Sequence, residues 1–184
     1  MYIRYEFPDM NLRKTILAEH SKSQANKIIK WVGDDKKRFA ELVNLFLNDE
    51  YRVVQRAAWP LSYIAIEYPE LVEPYIGKFV KMLLAKDKHP AVGRNILRIF
   101  QFIDIPSKYH GAVVNACFEF LLKNEYPIAF KAFSMTVLSN ITKKEPELKR
   151  ELKLVIDELM KEGSAGIKSR GRNVLLELEK VGKE

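Results

Sequence analysis

Four stretches of this chain superimpose on one another at a nearly constant interval, and that periodicity constrains the fold more than any other feature. They are residues 49–54, 87–92, 124–129 and 162–167. Each runs from a polar or acidic residue through four positions to an aliphatic anchor. The anchors Val54, Val92, Ala129 and Ile167 are 38, 37 and 38 residues apart. A weaker fifth copy lies upstream, near Ser21 to Ile28.

Each anchor opens a helical pattern. Positions plus three, plus four and plus seven share one helix face. They hold Ala57, Ala58 and Leu61, then Asn95, Ile96 and Ile99, then Ala132, Phe133 and Thr136. A second pattern precedes each acidic position: the pairs Leu42/Phe46, Val80/Leu84, Cys117/Leu121 and Val155/Leu159 have i, i+4 spacing suited to a buried stripe. Pro69, Pro106 and Pro146 follow the second helices and fit the first turn of the next one, where a missing N–H costs little. Pro60 falls inside a second helix and predicts a local bend. The repeating unit is thus a helix, a turn, a second helix and a proline-marked link.

This pattern resembles the HEAT-repeat family in unit length, in the Asp-x4-Val spacing and in the Ala57-Ala58 pair that follows. The resemblance covers roughly residues 35 to 180. It implies an all-α fold, a right-handed alpha-alpha superhelix (alpha solenoid) of about five HEAT-like helical hairpins. The expected division of this single repeat domain, 1–184, is a degenerate N-terminal unit at 1–33, then hairpins at 34–68, 69–105, 106–144 and 145–184. One hairpin cannot bury its apolar face alone, so stacking neighbours supply the core and the end units are atypical. In the last copy Arg170 and Gly171 replace the alanine pair, as suits a wet end. One departure concerns the basic residue that usually follows the anchor. Arg56, Arg94 and Lys131 lie two positions after it, and only Lys168 lies directly after it.

Charge bears on what such a stack binds. The net charge is +7, from 31 lysines and arginines against 24 acidic residues, which leans toward anionic partners. No apolar run approaches the roughly 18 residues of a membrane span, and the first residues lack the apolar core of a signal peptide. Cys117 is the single cysteine, which suits a reducing compartment and reads as a small buried hydrophobe. A cytoplasmic protein without membrane contact is expected.

In the family, second helices line the concave side, so their outward positions are candidate contacts. The second helices, taken as 51–66, 90–103, 127–142 and 164–174, hold eight basic residues and no Asp or Glu. Helical phase directs positions two, five and nine after the anchor away from the core. They are Arg56, Trp59 and Tyr63, then Arg94, Leu97 and Gln101, then Lys131, Ser134 and Leu138, with Arg52 and Arg98 alongside. The candidate partner- or phosphate-binding set is therefore Arg52, Arg56, Trp59, Tyr63, Arg94, Arg98, Gln101 and Lys131. Two readings stand for Trp59 and Tyr63: stacking on a partner, or packing against the neighbouring repeat. The arginines equally read as a solvated face. Trp31 reads as core.

No catalytic motif is present: no glycine-rich phosphate loop, no Gly-x-Ser-x-Gly and no His-Glu-x-x-His. His20, His89 and His110 have no metal-ligand spacing, and His89 reads as a solvated turn residue. The acidic pairs Asp34-Asp35 and Asp49-Glu50 read as helix caps. No catalytic residue, metal or cofactor is expected. A weaker resemblance links the basic, aromatic-lined face to the alkylation-repeat DNA glycosylases. Those enzymes use a concave-face carboxylate, which the central turns of the second helices here lack. The expected function is a non-enzymatic scaffold that holds an acidic protein or peptide; the alternative is nucleic-acid binding through the same surface.

Overall fold

The computed structural model describes residues 10–86 and 90–180. Asp87 and His89, in the turn of the second clear copy, and residues 1–9 of the N-terminal stretch lie outside them. The described residues form ten α-helices and no strand. In chain order these are α1 (Leu12–Ala18), α2 (Lys22–Val32), α3 (Lys36–Asn48), α4 (Tyr51–Glu67), α5 (Ile76–Leu84), α6 (Pro90–Phe100), α7 (His110–Leu122), α8 (Ile128–Ile141), α9 (Leu148–Glu162) and α10 (Ala165–Lys180). The expected all-α fold class is what the structure has.

The early helices are delimited by side chains that satisfy their free N–H groups. Asn11 accepts from Lys14 N–H at 2.9 Å, and Ser21 Oγ accepts from Gln24 N–H at 3.1 Å. Asp35 accepts from Lys37 and Arg38 N–H groups at 2.8 and 3.1 Å. Each such cap contributes about 1 kcal/mol. Gly33 ends α2 at φ +49°, a conformation a side chain would strain, and donates its N–H to the Ile29 carbonyl.

The chain divides into two compact units. One contains the helices up to α4 with residues 90–95; the other contains 75–86 and 96–180. In the first, α4 is central, with α1, α2 and α3 packed against it. Its Val53, Ala57, Ala58, Leu61, Ile64 and Ala65 are buried, and the small alanines admit close neighbours. In the second, α8 is central, against α7, α9 and α10, and α5 packs on α7. Leu42 and Phe46, Cys117 and Leu121, and Asn95, Ile96 and Ile99 are buried as their spacing predicts, as is Trp31.

Several expectations need correction. In α5 the buried residue is Leu83, while Leu84 is 47% exposed. In α9 Leu152 and Ile156 are buried, whereas Val155 and Leu159 are half-buried, because the inward face is rotated by one residue. In α8 the register of the third copy moves by one. Phe130, Ser134 and Val137 are buried, while Ala129, Ala132, Phe133 and Thr136 are only half-buried. Phe130 is thus the true anchor, and Lys131 follows it directly, as the repeat pattern asks. The second helices also differ in extent. α6 stops at Phe100 rather than residue 103, and α10 continues to Lys180, adding Glu177 and Glu179. Glu67 falls inside α4. The three prolines behave differently from one another. Pro69 starts a 3-10 turn, Pro106 caps another, and Pro146 precedes the first residue of α9 by two. Helix α4 runs unbroken through Pro60.

Candidate partner-binding surfaces

Arg52, Arg56, Trp59 and Tyr63 follow one another along α4 at i, i+4, i+7 and i+11, so a single face carries all four. The N-terminal hairpin covers its middle. Arg56 Nη1 donates to the Leu17 carbonyl at 2.8 Å and to the Ile16 carbonyl at 3.4 Å. These carbonyls end α1, where a cation is favourable. Trp59 is half-buried, with the His20 ring edge-on at 6.4 Å between centroids. Trp59 thus has a packing neighbour in the preceding hairpin. Arg52 and Tyr63, at the ends of the row, are exposed.

The acidic residue that opens this copy, Asp49, is engaged by α1 as well. Arg13 Nε and Nη2 reach its two carboxylate oxygens at 2.8 and 3.0 Å. This bidentate contact holds the Asp49 carboxyl below the usual carboxylate range. The cap expected of Asp49-Glu50 is thus an ion pair to the preceding hairpin, and Glu50 makes no side-chain cap bond to α4. Asp35 does cap, at α3.

On α6, Arg94 is exposed and Arg98, one turn later, is half-buried. Leu97 and Gln101, expected to face outward, are buried. Ser134 and Leu138 of α8 are buried too. In α8 the outward phase fails because that helix packs against α7, α9 and α10, so its apolar surface exceeds a single stripe. Gln101 instead organises polar groups in the second unit. Its carbonyl accepts from Asn140 Nδ2 at 2.9 Å, and its side-chain Oε1 accepts from Arg170 Nη1 at 3.2 Å. Arg170 Nη1 also donates to Thr136 Oγ1 at 2.7 Å.

Two clefts of this unit bear on the candidate residues. The larger, about 630 Å³, lies between α8 and α10 and is lined by Thr136, Asn140, Lys143, Arg170, Asn173, Leu176 and Glu177 among others. The smaller, about 470 Å³, holds Lys131 with Tyr126, Ile128, Glu158, Lys161 and Glu162, a rim of mixed sign. The eight expected site residues thus fall into the α4 row, the Arg94–Arg98 pair, and two residues, Gln101 and Lys131, that stand apart from each other. Arg170 and Asn173, which share the α8–α10 cleft, were missed as a pair. The sequence signal available was the missing alanine pair of the last copy, which puts an arginine where a core residue belongs.

Reactive side chains are quiet. Cys117 is fully buried, and burial pushes its thiol up to about 12. Both His110 nitrogens are engaged, Nδ1 with Glu145 and Nε2 with the Ile105 carbonyl. Among the described residues no three His, Cys, Asp or Glu side chains group as a metal site requires. No helix among them is long and apolar enough to cross a membrane.

No curated protein and no solved structure matches the chain. A family model described as a HEAT repeat domain matches residues 12–178, nearly the whole of the described helices. The chain belongs to the HEAT-repeat family.

Proposed function

We propose that this chain is a non-enzymatic scaffold that holds an acidic protein or peptide on basic side chains of its second helices. Repeats of this family form helical scaffolds for protein interaction, which supports the coarser part of the reading. The observation that carries the finer part is the sorting of charge by helix. In the second helices α2, α4, α6, α8 and α10, acidic residues are confined to the last four positions, as Glu67, Glu177 and Glu179. Among the first helices, α3 and α9 carry Glu41, Glu151 and Asp157 inside them, α7 carries Glu119 in its last four positions, and α1 and α5 carry no acidic residue. Arg52 and Arg94 are exposed and leave the second helices into solvent. Arginine pairs with carboxylates in a planar, bidentate manner and loses little order in doing so. The reading needs no metal, cofactor or membrane.

The test is fluorescence anisotropy of a labelled glutamate-rich peptide and of labelled single- and double-stranded DNA and RNA, from about 50 to 300 mM salt. Micromolar peptide binding at physiological salt, weakened about tenfold in an Arg52→Glu/Arg94→Glu variant that still folds, is the expected result. Peptide binding absent at physiological salt sinks the reading. Nucleic-acid binding that falls steeply and linearly in log salt replaces it with the phosphate-binding alternative.

A further inference from the structure

Helices α8 and α10 lie side by side in a fixed register. Arg170 meets Thr136, and Lys143 acts electrostatically on Glu177; both pairs are 34 residues apart, so the two helices run parallel. Thr136, Asn140 and Lys143 fall at i, i+4 and i+7 on α8 and the turn after it, and Arg170, Asn173 and Glu177 at i, i+3 and i+7 on α10. These two rows are the walls of the 630 Å³ cleft.

The charge of this cleft is unevenly satisfied. Arg170 is half-buried, and Nη1 is committed to two neutral acceptors, Thr136 Oγ1 and Gln101 Oε1. Among the described residues no carboxylate pairs with it. A partly desolvated guanidinium held by neutral oxygens keeps its charge and its remaining N–H edge for an anion. Seven residues further along, Lys143 is exposed; its ammonium makes a long 3.4 Å contact to Asn140 Oδ1 and acts electrostatically on Glu177. Between the two cations the lining is amide and apolar, with Leu176 58% exposed at the rim.

Seven helical residues span about 10 Å, the reach of about three residues of extended chain. We propose that the α8–α10 groove binds an extended acidic segment of a partner protein, one carboxylate on Arg170 and a second, three residues on, at Lys143. The inference rests on the acidic-partner reading and adds to Arg52 and Arg94 a further contact with a defined spacing. Gln101 and Thr136 act as positioning residues that fix the guanidinium. Glu177 and Glu179 stand on the same groove and oppose a continuous phosphate backbone, and the Glu177 carboxylate beside Lys143 is already held by Lys180 at 2.9 Å.

The probe is a labelled peptide containing Glu-Ser-Leu-Glu between glycine–serine flanks, with Gln-Ser-Leu-Gln as control and an oligothymidylate as competitor. Saturable binding of the glutamate peptide, at least about tenfold weaker for the glutamine control and for Arg170→Gln, and several-fold weaker for Lys143→Gln, is expected. Amide NMR of the unmutated protein supplies a readout independent of any variant's folding, and the Asn173 side-chain amide should move on titration. If the peptide binds while both substitutions and the Asn173 signal are unaffected, the groove assignment is overturned and the acidic-partner reading stands. If both peptides bind alike, or neither binds, both fail. An oligothymidylate that displaces the peptide and depends on Arg170 assigns the groove to nucleic acid instead.

Discussion

His110 Nδ1 lies 2.8 Å from a carboxylate oxygen of Glu145, joining the first residue of α7 to the link between α8 and α9. The other ring nitrogen meets the Ile105 carbonyl at 2.8 Å, so one buried ring bridges two connecting segments of the second unit. Replacing His110 by Ala leaves the Ile105 carbonyl and the half-buried Glu145 carboxylate without that partner and opens a void. The expected loss is about 2–4 kcal/mol, read by urea unfolding. Glu145→Gln keeps an oxygen in place and should lose less than half as much.

Arg56 ties α4 to the last carbonyls of α1, and α1 is only seven residues long. So short a helix is unstable without tertiary support. Arg56→Met, which keeps the stem and removes the donors, should speed hydrogen exchange across α1 by about tenfold, the equivalent of ~1.4 kcal/mol. Exchange in α7 and α8 should not change. If α1 is unaffected, the contact to Leu17 is incidental and the Arg56 guanidinium is available to a partner.

The hairpin plan was legible because helical spacing is a local property. Ala57, Ala58 and Leu61 point where their positions say they must. The candidate site was less legible, and the reason is packing. Spacing assigns a helix one inner face, but α8 is covered by α7, α9 and α10, so Ser134 and Leu138 are buried on a side the phase marked as outward. Gln101 shows the same limit in a polar residue: it is buried and its side chain accepts from Arg170, 69 residues away. The register of the third copy was misread for a different cause. Ala129 and Phe130 are adjacent apolar residues, and only their burial separates the anchor from its neighbour.

Gly171 of α10 packs tightly against Met160 and Ile156 of α9. A methyl group there would stand 2.5 Å from Met160 Sδ, 2.8 Å from Met160 Cγ and 3.1 Å from Ile156 Cγ2. Alanine is the better helix former by ~1 kcal/mol, so a free position would gain stability. Overpacking costs about 1–3 kcal/mol, and the contact includes the stiff Ile156 branch as well as the flexible sulfur. Gly171→Ala is therefore expected to lower Tm. A Met160→Ala background should remove most of that loss, and an additive double mutant would show that the glycine is not there for packing.

Cys117 gives the protein a stability change confined to alkaline pH. Its thiol is pushed from about 9 up to about 12 by burial, so the folded chain keeps a proton that the unfolded chain releases. The unfolded state thus gains from each pH step above its own value. This contribution to stability is whole below pH 9 and is lost as pH rises toward 12, following the linkage of proton uptake to folding. Cys117→Ala has no such group and should show a shallower fall over the same window, although it starts lower by the cost of a small cavity. The same burial predicts that a maleimide at pH 8 labels Cys117 only through opening of the second unit. A labelling rate that follows the unfolding rate across a urea series bears this out, and rapid labelling without urea overturns it.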